Sequence, residues 1–217
     1  MFWSKEKPLQ FYKKYIMVFY GLLLSLFIGT IILYGNGFSF TEVCISNLGN
    51  PGYNPKGWKL FTTMFISSGL YLIPFHIYLF KRLRNYFPIW DRVWIFLLFL
   101  GDLGIILVGI FNETLGLIHI IAALLAFGGL GVALFLSIIF FSINVYKNRA
   151  WPSKIPFLIL MSVLGGILLF LIHELINHGF DIPKDLNPAE WAVFSLILIW
   201  QIGILFLIEK KEEINDR

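Results

Sequence analysis

Six long apolar runs punctuate the chain, and charged residues fall mostly in the short stretches between them. The runs are Ile16 to Tyr34, Trp58 to Phe80, Val93 to Phe111, Leu117 to Tyr146, Ile155 to His178 and Trp191 to Ile208. Five of them are close to the roughly 20 residues of helix that about 30 Å of hydrocarbon requires, and the fourth is longer. Backbone N–H and C=O groups find no water partner in lipid, so the pattern predicts helices, which satisfy them internally. The period-two alternation of a membrane barrel is absent from these runs.

The connectors then orient the helices. Lys5, Lys7, Lys13 and Lys14 precede the first run, and Lys81, Arg82, Arg84 and Arg92 follow the second. Lys147, Arg149 and Lys154 follow the fourth, and Lys210, Lys211 and Arg217 follow the sixth. Lys56, Lys59 and Lys184 are the three basic residues left for the opposite side. Short loops rich in Lys and Arg stay cytoplasmic. The expected fold is therefore an all-α integral membrane protein, a single six-transmembrane-helix bundle over residues 1–217 with cytoplasmic N- and C-termini. Phe2, Trp3, Phe11 and Tyr12, interleaved with lysines, suit an interfacial anchor.

Composition agrees. Of 217 residues, 58% are hydrophobic and 14% charged, against about 25% charged in a soluble domain. The net charge of +4 is distributed by topology and makes no case for nucleic acid. Cys44, the single cysteine, excludes an intramolecular disulfide, and no nearby cation marks it as a nucleophile. The first apolar run is long and lacks a small-residue cleavage site, so it reads as a retained helix.

Candidate chemistry begins with ionisable residues at membrane depth, which are costly and need a reason. Asp102 lies midway along the third run, among glycines, and Ser67 and Ser68 are candidate partners at similar depth. It reads either as a helix fastener or as a proton relay. His76 has no evident acidic partner and reads as an interfacial or packed histidine. Gly128, Gly129 and Gly131 in the fourth run, with Gly165 and Gly166 in the fifth, are expected to permit close helix approach. On the outer side, Glu113 and His119 flank the third connector, and the fifth run ends in His173, Glu174 and His178. Imidazole and carboxylate ligands suit zinc, so His119, His173, Glu174 and His178 form a candidate set. The spacing of His173 and His178 is five, however, and HExxH requires four. Haem ligation by His119 and His173 stays open. Asn112-Glu113-Thr114 matches a glycosylation sequon. The Asn36 to Gly57 connector carries Asn50-Pro51-Gly52 and Asn54-Pro55, which are turn chemistry.

A Ser46-Asn47-Leu48-Gly49 element follows the first run, Asn54-Pro55 leads into the second, and Gly109 to Glu113 precedes Gly116-Leu117-Ile118-His119. This layout resembles the six-helix Frag/DRAM/Sfk-like membrane proteins and related prokaryotic membrane proteins of unknown function. The resemblance implies lipid-related biology, and it carries over Ser46, Gly49 and His119.

The expectation is a multi-pass protein, in the cell membrane rather than an internal one, that binds or handles membrane lipids through a polar pocket near the outer face. Ser46, Gly49, Asp102, Glu113, His119, His173 and Glu174 are its candidate lining, and the Asn36 to Gly57 loop its cover. The rival expectations are a zinc-dependent intramembrane hydrolase of a lipid amide or ester, and a small proton-coupled transporter using Asp102. A homo-oligomer or a membrane partner protein fits each of them.

Overall fold

The computed structural model describes residues 9–34, 37–83, 90–147 and 187–215. In chain order they form α1 (Leu9–Tyr34), a 3-10 turn (Ser46–Gly49), α2 (Trp58–Leu83), α3 (Asp91–Ile110), a second 3-10 turn (Glu113–Leu115), α4 (Leu117–Lys147) and α5 (Asn187–Asn215). Every regular element among the described residues is helical. The segments Leu9–Tyr34, Trp58–Arg82, Asp91–Ile110 and Leu117–Phe140 are each long and apolar enough to cross a membrane, and Glu190–Ile204 is a shorter apolar stretch. The fifth expected run, residues 155–178, lies outside the described residues, as do Gly165 and Gly166.

Two seams organise the bundle, α2 against α3 and α3 against α4. Both depend on glycine, because van der Waals contact drives helix association where lipid offers no hydrophobic force, and small residues bring backbones close. A Cβ on Gly104 would run into the backbone of Ala126. One on Gly129 would come within 2.6 Å of the Gly101 amide, and one on Gly69 within 2.6 Å of the Asp102 carbonyl. The α4 expectation holds for Gly129 but not for its neighbours, since Gly128 and Gly131 have nothing within 4 Å of a built Cβ.

Aromatic pairs hold α1 on α2: Tyr12 stacks on Tyr78 at 3.8 Å and Tyr15 on Tyr71 at 4.0 Å between centroids. The Tyr15 hydroxyl also donates to the Tyr71 carbonyl at 2.6 Å, in the turn of α2 where Pro74 interrupts the helical ladder. Between α3 and α4, Trp94 Nε1 donates to the Ala133 carbonyl (3.0 Å) and to Ser137 Oγ (2.8 Å). Met17, Ile32, Phe96, Leu117 and Leu124 point outward and are exposed. That outward apolar surface suits lipid rather than water.

Candidate functional site

Three features follow one another from the end of the bundle that carries the α1–α2 loop. The first is that loop, tied down by two carboxylates from elsewhere in the chain. Asn47 Nδ2 (2.8 Å) and Asn50 Nδ2 (3.2 Å) both donate to Glu113 Oε2. Glu190, in the first turn of α5, accepts from the Ile45 amide at 3.0 Å and also from the Ser46 amide. Trp191 Nε1 donates to the Val43 carbonyl at 2.9 Å. Asn54, fully buried, donates to the carbonyls of Leu48 (3.0 Å) and Thr30 (3.3 Å) and accepts from the Gly57 amide (2.9 Å). A loop of polar backbone is thus saturated by side chains, as a buried irregular segment must be.

The charges of the clamp interact. Burial raises the Glu190 carboxyl above its ordinary value; the Ile45 and Ser46 amides lower it, and Glu113 raises it again. Burial, followed by the nearby Glu190 and Glu113, pushes the Cys44 thiol up to about 12. Cys44 is accordingly a protonated thiol at neutral pH.

The loop rests on α2 through Gly49, where any Cβ would strike the Phe61 ring. Phe61 stacks on Phe65 at 4.3 Å, and Phe65 is a wall of the second feature, a cavity of about 40 Å³. Phe19 and Leu23 of α1, Met64, Ser68 and Leu72 of α2, Ile105 of α3, Ala126 and Leu130 of α4, and Ile197 and Gln201 of α5 complete most of its wall. Gln201 is anchored at its rim by Tyr20, whose hydroxyl lies 3.0 Å from Gln201 Oε1 and 2.8 Å from the Leu198 carbonyl. A cavity of this size exceeds one water, and its wall is mostly apolar, with Ser68 and Gln201 as the polar side chains.

The third feature decides the sequence reading of His76 and corrects one part of it. Of the two alternatives it is the packed histidine, fully buried, but it does have an acidic partner: its Nδ1 lies 2.8 Å from Oδ2 of the equally buried Asp102. The expected partner Ser67 turns instead to its own helix, its hydroxyl donating to the Met64 carbonyl at 3.1 Å. His76 Nε2 and Asp102 Oδ1 find no hydrogen-bond partner among the described residues.

Of the expected site residues, Ser46, Gly49 and Glu113 meet in the loop clamp. His119, 8% exposed, donates from Nδ1 to the Phe111 carbonyl at 2.7 Å and so braces the α3–α4 connector. Asn112 caps the second 3-10 turn by accepting from the Thr114 amide at 3.1 Å. Asp102 belongs to the deeper pair, about 12 Å along α3 from Ile110 at 1.5 Å per residue. His173, Glu174 and His178 lie outside the described residues. Among the described residues no three His, Cys, Asp or Glu side chains converge as a metal-binding group. Glu190, Asn50, Asn54 and Trp191 were not singled out from the sequence as site residues. Asn50 and Asn54 showed there only as turn formers.

The helices and their apolar outer surface define the class: this is an integral membrane protein, all-helical among its described residues. The family described as "Protein of unknown function (DUF998)" matches residues 19–208, and the chain belongs to it. No curated protein and no solved structure matches the chain.

Proposed function

We propose that the chain is a six-helix protein of the cell membrane, with both termini cytoplasmic, that binds membrane lipid, taking an acyl chain into the cavity between α1, α2, α3, α4 and α5. The observation that carries this reading is a mostly apolar cavity beside a carboxylate-clamped loop. Its lining is mostly aliphatic and aromatic, with Ser68 and Gln201 as the polar side chains, a wall that suits an acyl segment better than an ion. The outer rim of Asn47, Asn50, Glu113 and Glu190 supplies hydrogen-bonding groups at headgroup depth. The resemblance to Frag/DRAM/Sfk-like proteins points to the same lipid-related biology, as an analogy of layout.

The test is phospholipid retained per chain after purification in mild detergent, counted by native mass spectrometry. Leu23→Phe and Ser68→Leu each fill the cavity from a different helix. Both are expected to cut retained lipid several-fold while keeping or raising thermal stability, since a void of 40 Å³ costs about 1 kcal/mol. Unchanged retention in two well-folded variants would overturn the reading.

One observation favours a second reading, the zinc-dependent hydrolase. His119 donates from Nδ1 to a backbone carbonyl, which leaves Nε2 as the coordinating nitrogen, the arrangement that orients metal-bound histidines. Elemental analysis of chelator-free protein decides it: stoichiometric zinc lost in His119→Ala supports it, and a metal-free wild type ends it.

A further inference from the structure

We propose that the His76–Asp102 pair is a proton-binding site inside the membrane, holding one proton more when α2 and α3 are closed over it than when the seam between them admits water. It is independent of the lipid reading.

The geometry sets the terms. Both side chains are fully buried and share a 2.8 Å contact, and each keeps one polar atom without a partner among the described residues. The seam around them is closed tightly enough that a Cβ on Gly69 would press on the Asp102 carbonyl. Leu72, four residues before His76, and Ile105, three after Asp102, both line the cavity. Residues at those spacings share a helix face, so the pair lies one turn inward of the cavity's α2–α3 wall.

Other charges near the pair are few. α1 brings Lys13 and Lys14 at its inner end and Tyr12, Tyr15, Tyr20 and Tyr34. α2 brings Tyr71 and Tyr78, with Lys59 at its outer end and Lys81 and Arg82 at its inner end, and α3 brings Asp91 and Arg92 at its inner end. Over residues 117–140 of α4 the titratable side chain is His119 at the outer end, and over 190–204 of α5 it is Glu190, also at the outer end. Among these groups, His76 is the one in hydrogen-bond contact with the Asp102 carboxyl.

The proton count follows from the cost of net charge in a low-dielectric interior. With two protons the pair is neutral overall, as imidazolium with carboxylate or imidazole with carboxylic acid. With one proton it carries an uncompensated negative charge. The closed seam therefore keeps two. Once hydrated, the pair behaves as free side chains, with imidazole titrating at about 6.5 and carboxyl at about 3.9. Above about pH 6.5 the open state releases one proton to bulk water, so each unit of pH favours opening about tenfold. Between about pH 4 and about pH 6.5 both states hold two protons and opening is flat.

The single-residue variants change the sign and onset of this profile. In Asp102→Asn the closed histidine is neutral and the open one gains a proton below about pH 6.5, so opening rises toward acid. In His76→Gln the closed carboxyl is protonated and the open one ionises above about pH 4, so the alkaline rise starts that much earlier.

The experiment is hydrogen exchange by mass spectrometry on the full chain in nanodiscs, from about pH 5 to about pH 9, a range bracketing free imidazole. Peptides covering residues 70–80 and 98–106 are corrected for intrinsic exchange, with the Leu130 region of α4 as control. The expected wild-type profile is flat and then rises close to tenfold per unit, with the sign reversed in Asp102→Asn and the onset lowered in His76→Gln. A flat wild-type profile across the range, or one that Asp102→Asn leaves unaltered, would overturn the proposal. Should Asp102→Asn fail to assemble, the wild-type profile and the His76→Gln onset decide it.

Discussion

Asn47 Nδ2 lies 2.8 Å from the Glu113 carboxylate, a bond across 66 residues that joins the loop after α1 to the connector between α3 and α4. Asn50 reaches the same oxygen at 3.2 Å. Two amides on one carboxylate make Glu113 a clamp for the outer loop as well as a residue of the connector.

Replacing Glu113 with Ala should therefore loosen the loop before it harms the bundle. Charge-assisted hydrogen bonds contribute about 1.5–3 kcal/mol each when buried, and these are half-buried, so a total loss of about 1–2 kcal/mol is expected. Limited proteolysis should cut within residues 37–57 faster in the variant, with helix content unchanged. Equal cleavage rates would show that Glu190, Trp191 and Asn54 hold the loop without it.

How much of this was legible in the sequence differs by level. Apolar run length placed α2 to α4 within about three residues and the end of α1, whose start at Leu9 lies well before the expected Ile16, because hydrocarbon thickness fixes the length of a spanning helix. Asp102 was recognisable as a polar residue at depth, but its partner was not. α2 and α3 run in opposite directions, and sequence does not set their stagger. His76, close to Lys81 and Arg82 in the chain, read as interfacial or packed and without an acidic partner, yet the packing carries it to Asp102. The clamp was half legible: Ser46, Gly49 and Glu113 were marked, while Glu190 was not. Its role depends on α5 ending against the loop, a contact across 145 residues that no local pattern encodes.

The glycines of the α3–α4 seam should separate sharply by position. Gly104→Ala places a methyl against the Ala126 backbone, which cannot move as a side chain can. Overpacking of this kind costs about 1–3 kcal/mol or more. Gly128→Ala meets nothing within 4 Å and should gain slightly from helix propensity. Thermal unfolding in detergent checks the pair, and similar melting temperatures would contradict the described seam.

Trp94→Phe tests the polar rung between α3 and α4. The indole N–H serves both the Ala133 carbonyl and Ser137 Oγ, and the Ser137 hydroxyl itself donates to Ala133 at 2.7 Å. That last bond survives the substitution, so the expected loss is a single net hydrogen bond, about 1 kcal/mol, plus the smaller ring volume. Trp94→Leu should cost more, because the indole is 1% exposed and a cavity would remain.

The Cys44 thiol gives a readout of the clamp that does not depend on unfolding. Its pKa stands at about 12 because burial and then the Glu190 and Glu113 carboxylates disfavour the thiolate. Only the thiolate reacts with maleimides and disulfide reagents. At about pH 8 the ionised fraction is on the order of one in ten thousand, against about a quarter for an unperturbed thiol. Modification should be correspondingly slow, and the shape of the pH profile separates ionisation from shielding. A shielded thiol of ordinary pKa levels off above about pH 9. A thiol whose pKa is raised keeps climbing tenfold per unit across the same range. Glu190→Gln removes the larger of the two charges and should speed modification at fixed pH. A plateau near pH 9, unaffected by Glu190→Gln, would mean that the carboxylates do not act on Cys44 as their placement requires.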